Sequence, residues 1–355
     1  MNKQLTISQL TINNNEHYHG SPKNIKITML LIWSLLIVNY SFAAGAIVQT
    51  TDALLIGGGA RPLGMGRAFT AIVEDADAIF INPAGLAGLM APEFMSMFTN
   101  LLGDIYYSEF SGVIPSPVGT FGVGYVTTGV NQVLVPIDPT TTVVSDYYDD
   151  LLVFTFSAPL ALFFDYGRGI YLGINAKIFN RGWVGLSNAS ATGYSADFGI
   201  KYVVSPYLSF GFNRQNLLPI DLGGVLRYQS GAEETVAGIN KLGVAIRPKP
   251  LNDNLLLACD VDIPAQSGRP VTGHFGAEWR FNKYFMARAG ADQSLDASSP
   301  TLTSWNPTVG LSMSISGLRI DYALHPYYNN PSFATTYLSI SFRGEKWSTL
   351  TGETR

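Results

Sequence analysis

The sequence predicts an all-β membrane protein: a 14-stranded antiparallel transmembrane β-barrel, preceded by a short segment that packs inside the barrel or plugs one mouth. Three observations carry this expectation. Charged residues inside the candidate strands keep to one side of a strict two-residue alternation whose other side is apolar. Most of the strands run to about 9–11 residues, the span of a tilted membrane strand, against roughly 5–6 for globular strands. Connections that are tight on one rim and longer and polar on the other have the rhythm of an outer-membrane barrel.

The alternation reads directly off the chain. Leu172, Ile174, Ala176 and Ile178 oppose Gly173, Asn175 and Lys177, and Tyr194, Ala196, Phe198, Ile200 and Tyr202 oppose Ser195, Asp197, Gly199 and Lys201. Further on, Leu255, Leu257, Cys259 and Val261 oppose Asp260 and Asp262; Phe275, Ala277, Trp279 and Phe281 oppose Glu278 and Arg280; Leu318, Ile320 and Tyr322 oppose Arg319 and Asp321. Successive strand side chains point to opposite faces, so each segment has one oily and one polar surface. A soluble sandwich gives the same alternation; strand length and loop rhythm favour the barrel.

In chain order, Lys23 and Lys26 precede an apolar run at 27–38 and the small residues Ala43 and Ala44, the pattern of an export signal cleaved after Ala43, over residues 1–43. The run is short for a membrane helix. Residues 44–91 form the N-terminal segment and residues 92–343 the barrel. Its strands are expected at 93–101, 104–115, 118–128, 149–159, 169–180, 192–204, 207–213, 240–248, 254–263, 271–281, 284–292, 306–315, 318–324 and 334–342. Tight turns fall at Ser116-Pro117, Ser205-Pro206, Asn282-Lys283 and Ser316-Gly317, and the longest loops at 129–148 and 214–239. A polar tail, 344–355, follows.

Composition agrees. The 355 residues are 47% hydrophobic and 14% charged, with 36 Gly and 18 Tyr; a large soluble β-protein carries more surface charge. Tyr106, Tyr107, Tyr147, Tyr148, Tyr327 and Tyr328 are candidates for rim girdles. Removal of 1–43 takes three of the 22 basic and one of the 26 acidic residues, leaving 19 against 25, a balance that does not attract nucleic acid. The single cysteine, Cys259, forms no intramolecular disulfide and reads as a small lipid-facing hydrophobe. His274 and His325 are the only histidines after the leader; neither stands at metal-ligand spacing, and no Gly-x-Ser-x-Gly occurs, so an enzyme is not expected. No cofactor is expected.

The segment 53–87 is too apolar for a solvated tail and too short to fold alone. It holds a helix-compatible stretch at 65–73 and a shorter one after Pro83, where Asn82 suits an N-cap and Pro83 the first helical position. Its glycines lack the Gly-Lys-Ser/Thr of a phosphate loop and precede no alternating strand and helix units, so close backbone approach and tight turns account for them.

At these residues the chain resembles a known family. Residues 59–71 (GARPLGMGRAFTA) with 74–87 (EDADAIFINPAGLA) look like the opening of PorV/PorQ-type outer-membrane proteins of the FadL-like long-chain fatty-acid transporter superfamily, and 318–323 and 336–342 are similar to its closing strands. The resemblance implies a 14-stranded barrel with an N-terminal hatch in its lumen, in the outer membrane of a diderm bacterium. In barrels of this type the last strand usually ends the chain on an aromatic, here Phe342, whereas this chain continues into its tail. Lumen-side charges of both signs (Glu109, Lys177, Asp197, Lys201, Lys241, Arg247, Asp260, Asp262, Glu278, Arg280, Arg288, Asp292, Arg319, Asp321) either line a watery pore or pair into a network that clamps the hatch. The clamp is the reading taken, because shielded charges require partners and plugged lumens are filled. Gly64, Phe69, Ile72, Phe80, Asn82, Pro83 and Leu86 are the hatch and ligand-gate candidates, with 57–59 as hinge. Two functions follow from the resemblance: passage of a hydrophobic small molecule across outer-membrane lipid, or a PorV-like type IX secretion accessory that holds partner proteins by its long loops.

Overall fold

The computed structural model of the chain describes residues 49–50, 57–101, 104–164, 167–219, 222–251, 254–266, 269–296, 299–326 and 334–345. The expected leader, Tyr327, Tyr328 and most of the tail lie outside these residues.

In chain order the strands are β1 (Gln49–Thr50), β2 (Glu93–Leu101), β3 (Ile105–Ser116), β4 (Gly119–Pro136), β5 (Thr142–Pro159), β6 (Ile170–Trp183), β7 (Ala191–Ser205), β8 (Leu208–Gln215), β9 (Val225–Tyr228), β10 (Glu233–Val236), β11 (Ile239–Ile246), β12 (Leu255–Pro264), β13 (Thr272–Arg280), β14 (Phe285–Asp296), β15 (Ser299–Ile315), β16 (Leu318–His325) and β17 (Thr335–Arg343). β2–β8 and β11–β17 are the 14 barrel strands, each overlapping one of the predicted segments. Neighbours pair antiparallel, β8 pairs with β11, and β17 returns to β2 through Leu338↔Phe98 and Phe342↔Phe94, so the sheet has no free edge.

The alternation resolves as a barrel in lipid requires. Phe94, Phe98, Ile174, Phe275, Leu338 and Ile340 point outward and are exposed, while Glu109, Lys177, Asp197, Asp260, Arg288 and Asp321 point inward and are buried. A sandwich would bury the first set. No helix among the described residues is long and apolar enough to cross a membrane.

Three expectations are corrected. Residues 129–148 are mostly not a loop: β4 and β5 stay paired to Pro136↔Thr142 past a register shift between Val130 and Val133, where Gln132 has φ 57°. The Val- and Thr-rich sequence simply continues the ladder. The second long connection contains the β9–β10 hairpin, and β9 takes over the edge of β7 above the end of β8, through Ala191↔Tyr228 and Gly193↔Leu226. The stretch 65–73 is not helical; α1 is Ala60–Gly64, and Gly66 and Arg67, at φ 60° and 67°, end it in two consecutive left-handed steps.

The capping signal at Asn82-Pro83 holds. α2 spans Ala78–Ile81, and a 3-10 helix covers Pro83–Gly88 with Asn82 as N-cap, its side chain accepting the Ala84 amide at 3.2 Å. α1 packs on β15 and β16, the 3-10 helix on β5, β6 and β7.

Candidate functional site

The hatch sits in the lumen on glycine seats. Inward-facing glycines stand opposite one another in register as Gly173↔Gly199, Gly211↔Gly243 and Gly276↔Gly290. Asn82-Pro83-Ala84 rests on the first pair, Thr70-Ala71 on the second and Met65-Gly66 on the third. A Cβ on Gly276 would stand 2.4 Å from the Met65 carbonyl oxygen, and one on Gly199 2.1 Å from Asn82 Oδ1. Close backbone approach is therefore a steric requirement at these positions.

Polar side chains beside the seats satisfy the hatch backbone group by group. Asp260 Oδ2 accepts the amides of Phe69 (2.8 Å) and Thr70 (2.7 Å). Ser209 donates to the carbonyl of Ala71 (3.0 Å), and Lys201 to those of Ile72 (2.6 Å) and Val73 (3.0 Å). Asn175, Gln215 and Asn213 donate to the consecutive carbonyls of Ile79, Phe80 and Ile81 at 2.9, 3.1 and 2.6 Å. Asn82 Nδ2 ties the hatch to itself and to the wall through Thr70 (2.9 Å) and Ile200 (3.1 Å). Irregular backbone at membrane depth is tolerated where protein supplies such partners.

An ionic network closes around Arg61. Its guanidinium meets Glu74, Asp75 and Glu278, each at 2.9 Å. Arg288 bridges Glu278 (2.6 Å) to Asp321 (3.0 Å), and Arg319 bridges Asp321 (2.7 Å) to Asp75 (3.1 Å). Burial alone would raise the Glu74 carboxyl; Arg61, Arg247 and Lys201 instead hold it down at about 2. Asp77 is the opposite case: burial first and Asp75 second push its carboxyl well above the ordinary range, and neither of its oxygens has a hydrogen-bond partner among the described residues.

Toward the loop rim one wall of the lumen carries an apolar row between two buried ion pairs, Lys177–Asp197 and Arg181–Asp149. Val126, Leu151, Phe179 and Leu226 point inward and lie in one cross-strand row, Val126↔Leu151↔Phe179 continuing through Gly193 to Leu226. They are at most 2% exposed and share one core with Phe69, Ile79 and Phe80 of the hatch. The opposite wall is charged: Asp292 lies between His274 (Nδ1 at 2.8 Å), His325 (Nε2 at 3.1 Å) and the hatch residue Arg67 (3.7 Å).

The predicted gate residues are all buried: Phe69, Ile72, Phe80 and Leu86 share one core, whereas Gly64 packs on Gly310 of β15, apart from Asn82 and Pro83 on β6 and β7. Of the predicted charges, Glu278, Arg288, Arg319 and Asp321 join the Arg61 network; Arg247 reaches Glu74 at 3.2 Å; Lys177 pairs with Asp197 at 2.9 Å, and Lys241 with Asp262; Glu109 accepts the Gly59 amide at 3.2 Å. Arg280 stays exposed at the rim of the tight turns. Tyr107, assigned to a girdle, is fully buried and donates to the Gly57 carbonyl, because its parity turns it into the lumen. Arg61, Asp75, Asn175, Asn213 and Gln215 were missed. Asn175 shares the polar face of Lys177, so parity was the available signal; Arg61 lies outside any strand and gave none. His325 is the buried last residue of β16, one residue past the strand expected at 318–324, and its meeting with His274 across Asp292 is long-range. Among the described residues no group of His, Cys, Asp and Glu is arranged to hold a metal ion.

No protein-family model and no curated protein matches the chain. Solved structures do. The toluene transporter TodX of Pseudomonas putida superposes with a TM-score of 0.57 at 13% identity, covering 81% of this chain and 99% of that one. The CymD monoaromatic hydrocarbon channel gives 0.54 at 12% over 82% and 98%, and a FadL homologue of Pseudomonas aeruginosa 0.53 at 13% over 84% and 99%. Likeness at such identity shows the fold, which is that of a FadL-like barrel.

Proposed function

We propose that the chain is an integral outer-membrane barrel that binds a hydrophobic small molecule and passes it across the membrane under control of the hatch. The observation that carries this reading is the apolar row on the lumen wall. Val126, Leu151, Phe179 and Leu226 occupy inward positions that a water-filled channel fills with polar side chains. The names of the structures that share its fold support a ligand class: toluene and other monoaromatic hydrocarbons, or the substrates of FadL homologues. The loop rim then faces the exterior and the turn rim the periplasm, after export and removal of residues 1–43. Phe69, Ile72, Phe80 and Leu86 form the movable apolar gate, and Gly57 and Gly59, at φ 115° and 75°, are its hinge. The charge network is the clamp that returns the hatch to its seats, and no catalytic role is assigned to it.

The comparisons give no support to the PorV-type accessory reading, and residues 129–148, one of its proposed contact loops, are mostly paired strand. Binding of radiolabelled toluene and of a long-chain fatty acid to the full chain in lipid nanodiscs tests the proposal. Saturable binding of either, weakened by Phe179→Glu, is expected; no saturable binding by a folded barrel would overturn it.

A further inference from the structure

On the outer wall, β11–β14 form a shallow, open apolar groove of about 580 Å3. Its floor is made of small residues: Ala277 stands across from Ala289, and Gly276 across from Gly290. Large side chains bound it, with Ile246 and Leu257 on one flank and Phe275 toward the loop rim. Ile246, Leu257 and Phe275 are all exposed, so the groove opens to the side that meets hydrocarbon.

The two connections that close these four strands at the turn rim are cationic. Lys249, between β11 and β12, lies 4.7 Å over the ring of Tyr207, and Lys283, between β13 and β14, lies 4.9 Å over that of Tyr284. Both lysines and the neighbouring Arg280 are exposed, and Asp253 is the one acid in the two connections. Leu257 is the third residue of β12, which sets the groove about 7 Å inside the rim at the rise of a strand. An apolar trough below a rim that carries exposed cations complements an amphiphile with an anionic head and a hydrocarbon tail. A free anion would leave the trough unfilled, and a purely apolar partner would leave the cations unused.

We propose that this groove seats an acyl chain of a phospholipid from the leaflet at the turn rim, with Lys249 and Lys283 holding its anionic head group. The proposal rests on the membrane reading above. It assigns the outer wall a specific lipid site, separate from the lumen and from the passage proposed there. The lipid's tail buries the exposed apolar floor, and its phosphate gains two cations held in place by aromatic rings.

The test uses the full chain in bilayers of phosphatidylethanolamine mixed with phosphatidylglycerol, the latter carrying a diazirine in one acyl chain, with labelled peptides mapped after irradiation. Label concentrated on β12–β14 is expected. Ala289→Trp, which fills the floor from the outside, is expected to lower that label about tenfold while labelling of the remaining belt stays unchanged. A Lys249→Gln, Lys283→Gln variant is expected to keep the label and lose the preference for phosphatidylglycerol over an equally photoreactive phosphatidylethanolamine. Heat-modifiable gel migration checks that each variant is folded. Even labelling around the barrel, unchanged by Ala289→Trp, overturns the proposal, as do chain-to-chain cross-links through the groove, which would make a second copy its occupant. Failure of the folded chain to enter bilayers would sink the membrane reading and this proposal together; insertion with even labelling sinks this proposal alone.

Discussion

Arg61 is the residue on which hatch and wall meet electrostatically, since its guanidinium touches two hatch carboxylates and Glu278 of β13. Removing one partner of a buried ion pair leaves the other charge uncompensated, which typically costs about 3–5 kcal/mol. Arg61→Ala is therefore expected to loosen the hatch while the barrel persists, read as faster amide hydrogen exchange over residues 57–73 and unchanged exchange in β4 and β5. Protection equal to wild type would remove Arg61 from the clamp. Asp77 makes a prediction of opposite sign. Its folded carboxyl is raised by burial and by Asp75, so the folded state binds its proton more tightly than the unfolded chain. That contribution to stability is complete below the ordinary carboxylate range and is lost as pH rises through the raised folded value. The protection factors of hatch amides, which discount the intrinsic rise of exchange with pH, should fall toward alkaline pH in wild type, and Asp77→Asn should flatten that fall.

Among the elements, the glycine seats and the hydrogen bonds beside them decide whether the hatch stays in place. Gly276→Leu puts a side chain where the Met65 carbonyl rests, on a strand whose outward face is untouched. The expected result is a folded barrel with a displaced hatch, seen in planar bilayers as larger and noisier ion conductance; a silent, wild-type trace would show that the hatch tolerates the intrusion. Asn82→Ala removes the cap of the 3-10 helix and the bonds to Thr70 and Ile200, and at about 0.5–1.5 kcal/mol net for each it should loosen the hatch less than Arg61→Ala in the same exchange measurement. The strands were legible because parity, length and turn residues agree along 93–343. The hatch was legible only at Asn82-Pro83, where capping chemistry is local. The helix expected at 65–73 failed because Gly66 and Arg67 take left-handed conformations imposed by the seat on β13 and β14, which short-range sequence does not report.

At the scale of the whole molecule, one closed sheet presents an apolar exterior, a charged lumen that clamps the hatch and one apolar row set among those charges. The sequence's alternation revealed the first two. The third was hidden, because Leu151 and Phe179 sit on the parity that their own strands also fill with Asp149, Lys177 and Arg181, and only cross-strand register aligns them with Val126 into a row. The most direct test of the central claim is uptake of radiolabelled toluene by cells that lack other barrels of this fold and carry this chain in their outer membrane. Uptake above that of empty cells, abolished by Phe179→Glu in a barrel still folded and inserted, is the predicted result. Uptake no faster than in empty cells, with the wild-type barrel folded and present, would contradict a passage for this class of molecule.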